Sequence, residues 1–290
     1  MTLLAFAIIY FVWGSTFLAI RIGVGEVPPF LFAALRFLIA GAVLSLWSIS
    51  RGDGLPDRRQ WTSISLLAVM IFVFDYGLLF WAEQRVPSGV TAVMMALIPA
   101  FTALSEIVVL GTRRLTLRLG TALLIGILGV AVLMSHSFGL GGLPIDRLGA
   151  LALIFAALSW SLASALARKL PLPSSKAMSS GTQMLSGGLF LAIAAALLGE
   201  LPGFHPASVS ARAWLALLYL IVPGSIIAFT AYVWLLHRES PTKVGTYAYV
   251  NPVVAVLLGY FVGGESLDLR TALGTACVLI SVVVITSHRV

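Results

Sequence analysis

Charge is scarce in this chain. Asp, Glu, Lys and Arg make up 10% of its residues, against about 25% in a soluble domain. No segment is polar enough or long enough to form a soluble domain of its own. Cysteine is almost absent: Cys277 stands alone inside a predicted span, so no intrachain disulfide can form. Histidine is rare and scattered. His136, His205, His237 and His288 fall in loops or at span ends, with no metal-ligand spacing between them. No nucleophile has a base in a plausible relation to it, so no enzyme, catalytic residue, metal or cofactor is expected. The net charge of +7 comes without a long basic run or a zinc-finger spacing, which excludes nucleic acid as a partner. The N-terminus has no basic n-region and no convincing cleavage site. It reads as a retained first helix and not as a removed signal peptide.

Apolar sequence is what the chain has in quantity. Hydrophobic residues are 60% of the total, and they come in runs of about 18 to 24, the length that crosses a bilayer. Ten spans are predicted, at roughly 3–22, 30–50, 62–83, 88–110, 118–135, 147–168, 177–199, 211–236, 243–263 and 270–287. The connectors are brief and rich in turn-formers: Val27-Pro28-Pro29, Arg51-Gly52-Asp53-Gly54, Val86-Pro87-Ser88-Gly89, Pro171-Leu172-Pro173 and Ser240-Pro241. The longest, about 136–146, is rich in glycine. Membrane lipid is therefore one expected partner.

The two halves repeat each other. Trp13-Gly14-Ser15 to Arg21 returns 147 residues later as Trp160-Ser161-Leu162 to Arg168. The stretch from Trp81 to Ser135 returns as Trp234 to Ser287, with Pro99 matching Pro252 and Leu119-Gly120-Thr121 matching Leu273-Gly274-Thr275. Residues 1–136 would form the first repeat, with five spans, and residues 147–290 the second. With the N-terminus inside, twelve Lys and Arg lie at inner span ends and five at outer ones (Arg21, Arg85, Arg147, Arg212 and Arg270). That bias favours both termini in the cytoplasm. Five is odd, so the second repeat enters the membrane inverted. The expected fold is an all-α polytopic membrane protein, with ten transmembrane helices as two inverted five-helix repeats. Such a pair suits alternating access to a site between the repeats.

Several stretches resemble a known family. Trp13-Gly14-Ser15-Thr16-Phe17, Leu35-Arg36-Phe37, Met95-Ala96-Leu97-Ile98-Pro99, Tyr249-Val250-Asn251-Pro252-Val253-Val254-Ala255 and the turn Gly264-Glu265-Ser266-Leu267 are similar in order and spacing to the EamA-type repeat of the drug/metabolite transporter superfamily. The likeness covers both halves. It implies ten helices, inner termini, multi-pass residence in a bacterial-type inner (plasma) membrane, and transport of small organic solutes, in many members the export of amino acids or other metabolites. The first half departs from the pattern: Gly111-Thr112-Arg113 stands where Gly-Glu-Arg is usual, while Glu265 fills the matching place in the second half.

Polar residues at membrane depth are the candidates for chemistry, because they are costly there. Asp75 is about mid-span in the third helix and suits a substrate amine or a proton-coupling site. Glu106, on one face with Met95, Pro99 and Thr102, is a second proton-coupling candidate. A carboxylate reaching back to the inner interface accounts for it at least as well. Arg36 matches Gln183 across the repeat and reads as structural hydrogen bonding. Trp13 and Trp160 are deep in equivalent spans, where an indole N–H must find a partner or face water. Ser164 lies one turn beyond Trp160. Lys243, Tyr247 and Asn251 share a face of the ninth span. Pro99 and Pro252 each free a backbone carbonyl one turn earlier and are candidate hinges.

From spans one, three, four, six, eight and nine, a choice the resemblance implies, the expected cavity residues are Trp13, Ser15, Asp75, Tyr76, Met95, Trp160, Ser164, Tyr247 and Asn251. The expected function is a secondary transporter, outward in direction, for a small-molecule substrate such as an amino acid. The alternatives are a facilitative carrier without proton coupling, a lipid-directed flippase, or a structural membrane subunit. Ten spans are enough for one chain to enclose its own pathway, so a monomer is plausible and an oligomer is not excluded.

Overall fold

A computed structural model describes residues 1–111, 116–134, 146–236, 238, 239, 244 and 246–286. The Thr112-Arg113 turn, most of the 136–146 connector, Ser240-Pro241, Lys243, His136, His237 and His288 lie outside the described residues. The helices, in chain order, are α1 (Thr2–Val24), α2 (Pro29–Ser50), α3 (Arg58–Glu83), α4 (Ser88–Val109), α5 (Leu117–Met134), α6 (Arg147–Ala167) and α7 (Lys176–Leu197). Next comes α8, which runs from Ala211–Tyr219 through Leu220–Ile227 to Ala228–Leu236. Last are α9 (Tyr247–Phe261) and α10 (Leu269–Thr286). Among the described residues there is no strand. Among the described residues, seven helices, α1 to α4 and α6 to α8, are long and apolar enough to cross a membrane, and α5, α9 and α10 are shorter apolar helices.

Large apolar side chains cover the outside. Leu46, Leu124, Ile127, Leu151, Leu189 and Phe261 are all exposed. Such a surface is a liability in water and ordinary in hydrocarbon, where helices satisfy their own backbone polarity.

Helix starts consume most of the acidic residues. Asp57 and Gln60 form a reciprocal capping box, which begins α3 at Arg58 and not at the expected residue 62. Asp146 caps its own helix through Gly149 N–H, and Asp268 does so through Thr271 N–H. Other carboxylates reach across the fold. Glu26 accepts from Ser210 N–H and Oγ at 2.6 Å, at the head of α8. Glu200 accepts from Phe30 and Leu31 N–H at the head of α2. Glu265 accepts from Ser88 N–H, Ser88 Oγ and Gly89 N–H at the head of α4. Asp53 accepts from the Oγ of Ser175, the capping residue of α7. Of the 11 acidic residues, that leaves Asp75, Glu83, Glu106 and Glu239.

Packing follows a regular exchange. α2 packs along α7, and α5 along α10. α1 packs on α8 and α9, while α6 packs on α3 and α4. Glycine makes the close contacts. A Cβ on Gly181 would lie 2.7 Å from Ser45 N, and one on Gly188 2.7 Å from Leu38 N, so α2 and α7 touch backbone to backbone. Gly129 and Gly274 do the same for α5 and α10, each Cβ meeting the other's carbonyl oxygen at 2.9 Å. The last turns of α3 and α8 also match. Arg85 lies over Trp81 and Arg238 over Trp234, both at 4.0 Å.

Three helices are irregular at depth. α3 widens to π geometry over Val69–Gly77, and α8 does so over Leu220–Ile227. Such bulges concentrate at functional sites. α4 breaks at Ala96 and Leu97, between Ser88–Met95 and Ile98–Ser105. Pro99 explains the break, since it has no N–H to offer the Met95 carbonyl. Pro252 lies inside an uninterrupted α9.

Candidate substrate cavity

A cavity of about 380 Å³ opens among the irregular stretches of α3, α4 and α8. Its walls come from α1 to α4 and α6 to α9. α2 and α7 were not among the spans expected to contribute, yet Arg36 and Phe37 on one, and Ser180, Gln183 and Met184 on the other, line it.

Of the expected residues, Trp13, Asp75, Tyr76, Met95, Trp160, Tyr247 and Asn251 line this one space, together with Pro99 and Pro252. Ser15 and Ser164 do not, which corrects their assignment. Ser15 Oγ donates to Val12 O at 2.9 Å and shares a 2.6 Å hydrogen bond with Tyr219 Oη. Ser164 Oγ donates back to Trp160 O at 2.8 Å. A serine on a helix is readily neutralised by its own preceding turn. Glu106 lies off the cavity and accepts from Arg168 Nη1 at 3.0 Å, a tie between α4 and α6.

Aromatic rings build two of the walls. Trp13 meets Tyr232 at 5.3 Å and the edge of Tyr247 at 5.0 Å between centroids. Its indole N–H donates to Gly224 O at 3.1 Å, a carbonyl in the π segment of α8. The partner demanded by a deep tryptophan is thus supplied by a widened helix. On the other side Phe37, Phe72 and Tyr76 pack together, and Trp160 meets Tyr76 edge-on at 6.0 Å. Asn251, with its amide turned to give the nitrogen acceptors, donates to Tyr247 O at 3.2 Å and Tyr10 O at 3.1 Å.

Two ionisable side chains interrupt the apolar lining. Arg36 is 4% exposed, donates from Nε to Ser225 Oγ at 3.0 Å, and leaves Nη1 buried with no partner. Its guanidinium carbon lies 4.8 Å from the Phe37 ring and 5.4 Å from that of Tyr76. Asp75 is 2% exposed, and its Oδ1 is buried without a donor. The expectation for Arg36 is structural hydrogen bonding; its side chain lies on the cavity and bonds Ser225 Oγ of α8. Glu83, wholly buried with both carboxylate oxygens unpartnered, is not singled out in the sequence and lies off the cavity.

Apolar helices around an internal, aromatic-walled chamber with ionisable side chains on its wall define a multi-span α-helical membrane protein of the solute-handling kind. The chain belongs to the EamA-like transporter family, whose signature matches residues 1–135 and again residues 147–287. It is 37% identical over 280 residues to the "Uncharacterized inner membrane transporter YedA" of Escherichia coli (strain K12), covering 96% of this chain and 88% of that one. It is 28% identical over 277 residues to "Protein PecM" of Dickeya dadantii, covering 94% of this chain and 88% of that one. A solved crystal structure superposes with a TM-score of 0.65 at 25% identity, over 98% of this chain and 95% of that one. The family and the drug/metabolite transporter superfamily indicated by the motif residues are therefore the right ones. The family and the YedA relative are named as transporters, and not as enzymes.

Proposed function

We propose that this protein is a secondary transporter that exports small amphipathic metabolites, amino acids among them, by alternating access around the central cavity. The observation that carries the reading is the origin of the walls. Residues 1–135 and 147–287 each match the family signature, and both contribute side chains to one chamber of about 380 Å³. That volume is in the range of small-molecule sites.

The exchange rule in the packing supports two inverted five-helix repeats, residues 1–136 and 147–290. When α1 is swapped for α6, α3 for α8 and α4 for α9, the contacts α1–α8 and α1–α9 become α6–α3 and α6–α4, which are the ones observed. The break in α4 beside the cavity supports a mechanism in which helices bend at mid-depth. In this reading α5, α9 and α10 also cross the bilayer, both termini are cytoplasmic, and the membrane is the bacterial inner membrane. A lipid headgroup path lined by basic residues has less support, since Arg36 is the one basic side chain among the described residues on this cavity.

Counterflow in proteoliposomes tests the reading. Vesicles preloaded with unlabelled solute should draw in labelled solute, and empty-protein controls should not. Absence of counterflow for amino acids, nucleosides, sugars and cationic drugs alike would overturn it. Impermeant labelling of single cysteines added near residues 1 and 290 should find both on the cytoplasmic side. Labels on opposite sides would remove the inverted repeat.

A further inference from the structure

Glu83 ends α3, one turn beyond Leu79, which is buried and lines the cavity. It is wholly buried itself, and neither of its carboxylate oxygens has a hydrogen-bond partner among the described residues. An apolar layer surrounds it. Ile20 and Val24 of α1, Val27 just after that helix, Ala82 of α3, Val86 of the next connector and Val90 of α4 are all buried. The layer stands between the cavity and the loop ends of α1 and α3.

A cation lies beside the acid without taking it. Arg21, in the last turn of α1, donates from Nη1 to the Glu83 backbone carbonyl and to the Val86 carbonyl, the latter at 3.1 Å. The charged side chains that act on the Glu83 carboxyl are Glu265, Arg21 and Arg36. Glu265 is held across the head of α4 by Ser88 and Gly89, and Arg36, on α2, gives Nε to Ser225. At this end α6 brings Asp146, taken up by Gly149 N–H, and Arg147, which is exposed. On the stretch of Glu83 itself, Arg85 lies over Trp81 and Asp75 faces the cavity. A carboxylate left in an apolar layer with no donor is the costly form, and the neutral acid is the one the closed packing tolerates. Once water enters, the guanidinium already bonded to the same backbone is a ready partner for the ionised form. The matching arginine of the second half has made such a pair: Arg168, 147 residues after Arg21, is half-exposed and binds Glu106 at 3.0 Å.

We propose that Glu83 is the proton switch of an outer gate. Protonated, it packs into the closed layer. When the helices part, it gives its proton to the outer water and pairs with Arg21, and the pair holds the mouth open. A proton has to return from the outer side before the layer can close again. Low outer pH therefore favours the closed mouth, and high outer pH the open one. The inference rests on the orientation and the alternating access proposed above, and it concerns the gate and not the solute.

Thiol accessibility in proteoliposomes tests this, in a Cys277→Ser background. Leu79→Cys reports on the cavity side of the layer. Gly203→Cys corrects for the pH response of the reagent itself: Gly203 is exposed, nothing lies within 4 Å of its added Cβ, and Ser210 ties its loop to Glu26 at the same end of the fold. An impermeant methanethiosulfonate is added on the side where Gly203→Cys reacts. The rate at Leu79→Cys relative to Gly203→Cys should rise about tenfold or more from acid to alkaline pH, since one linked proton moves an equilibrium by up to about tenfold per pH unit. In E83Q the ratio should stay low and flat. If E83Q does not fold, Glu83→Met, which fills the site with apolar volume, should give the same flat ratio. A parent ratio that ignores pH overturns the switch, as does an E83Q that keeps the parent's response. Counterflow in the same vesicles separates the two levels of failure. Counterflow with labelling that ignores pH sinks the switch and spares the transporter, while no counterflow of any solute and no labelling of Leu79→Cys at any pH sinks both.

Discussion

Asp53 and Glu200, 147 residues apart, hold opposite ends of the same helix pair. Asp53 follows α2 and binds Ser175, the cap of α7, at 2.6 Å, with Ser48 as a second donor. Glu200 follows α7 and accepts from Leu31 N–H at 2.8 Å and Phe30 N–H at 3.3 Å in the first turn of α2. The offset equals that between Trp13 and Trp160.

The two carboxylates should give stability opposite slopes with pH. Donation from Ser175 and then Ser48 holds Asp53 below its ordinary value of 3.8. Its contribution is present above 3.8 and is lost as pH falls through the lowered folded value. Burial raises Glu200 above its ordinary 4.5, against the pull of the Leu31 and Phe30 N–H groups. Its contribution is present below 4.5 and is lost as pH rises through the raised value. Melting temperatures of D53N and E200Q in detergent, from acid to neutral pH, should each flatten one limb of the wild-type curve. Removing the cap altogether, in Glu200→Ala, should cost about 1 kcal/mol.

Gly41→Ala should damage the α2–α7 contact. Its added Cβ meets Leu185 N and lies 2.8 Å from Gly181 O, and neither backbone atom can step aside. Overpacking of this kind costs about 1–3 kcal/mol. Gly120 on α5 has nothing within 4 Å of its added Cβ, so Gly120→Ala should be neutral, or stabilising by about 0.5–1 kcal/mol through helix preference. Thermal unfolding of the two variants side by side checks the contrast.

Asp75→Asn should abolish solute accumulation driven by a pH gradient while solute exchange persists. Among the described residues Asp75 is the acidic side chain on the cavity, and Glu106 is occupied with Arg168. Glu106→Gln should therefore leave coupling in place. A D75N protein that accumulates solute as the parent does removes proton antiport through this residue, and uptake by the parent that ignores an imposed pH gradient favours a facilitative carrier.

Pro99→Ala and Pro252→Ala should differ, although the sequence pairs them. Alanine at 99 restores the N–H whose absence accompanies the break at Ala96 and Leu97, so α4 should straighten. Counterflow should slow several-fold while ligand-induced melting shifts stay near wild type. At 252 the helix already continues, and the same change should alter the rate little. Equal rates for both variants would remove α4 bending from the mechanism.

Much of this was legible in sequence, for reasons that particular residues make plain. Trp13, Tyr76, Trp160 and Asn251 were placed on the cavity because a polar or aromatic group deep in a span has few other tolerable places to face. Ser15 and Ser164 misled, since a hydroxyl one turn from an aromatic looks like a binding group until its own helix carbonyl claims it. The π segments were hidden altogether. A wheel drawn at 100° per residue goes out of phase after Val69–Gly77 and Leu220–Ile227, so the facing of Gly224 and Ser225 could not be drawn. The departure at Thr112 lies outside the described residues, but its counterpart is explained: Glu265 is the cap of α4.

The α2–α7 contact also limits where movement can occur. Two rods that touch through glycine and are latched at both tips by Asp53 and Glu200 can neither slide nor splay without breaking backbone contact. They form a keel. Under the alternating access proposed above, what swings to expose the chamber would be hung on either side of it, on the bundles of α1, α8 and α9 and of α3, α4 and α6. Arg36, carried on the keel, would then stay still while those walls move.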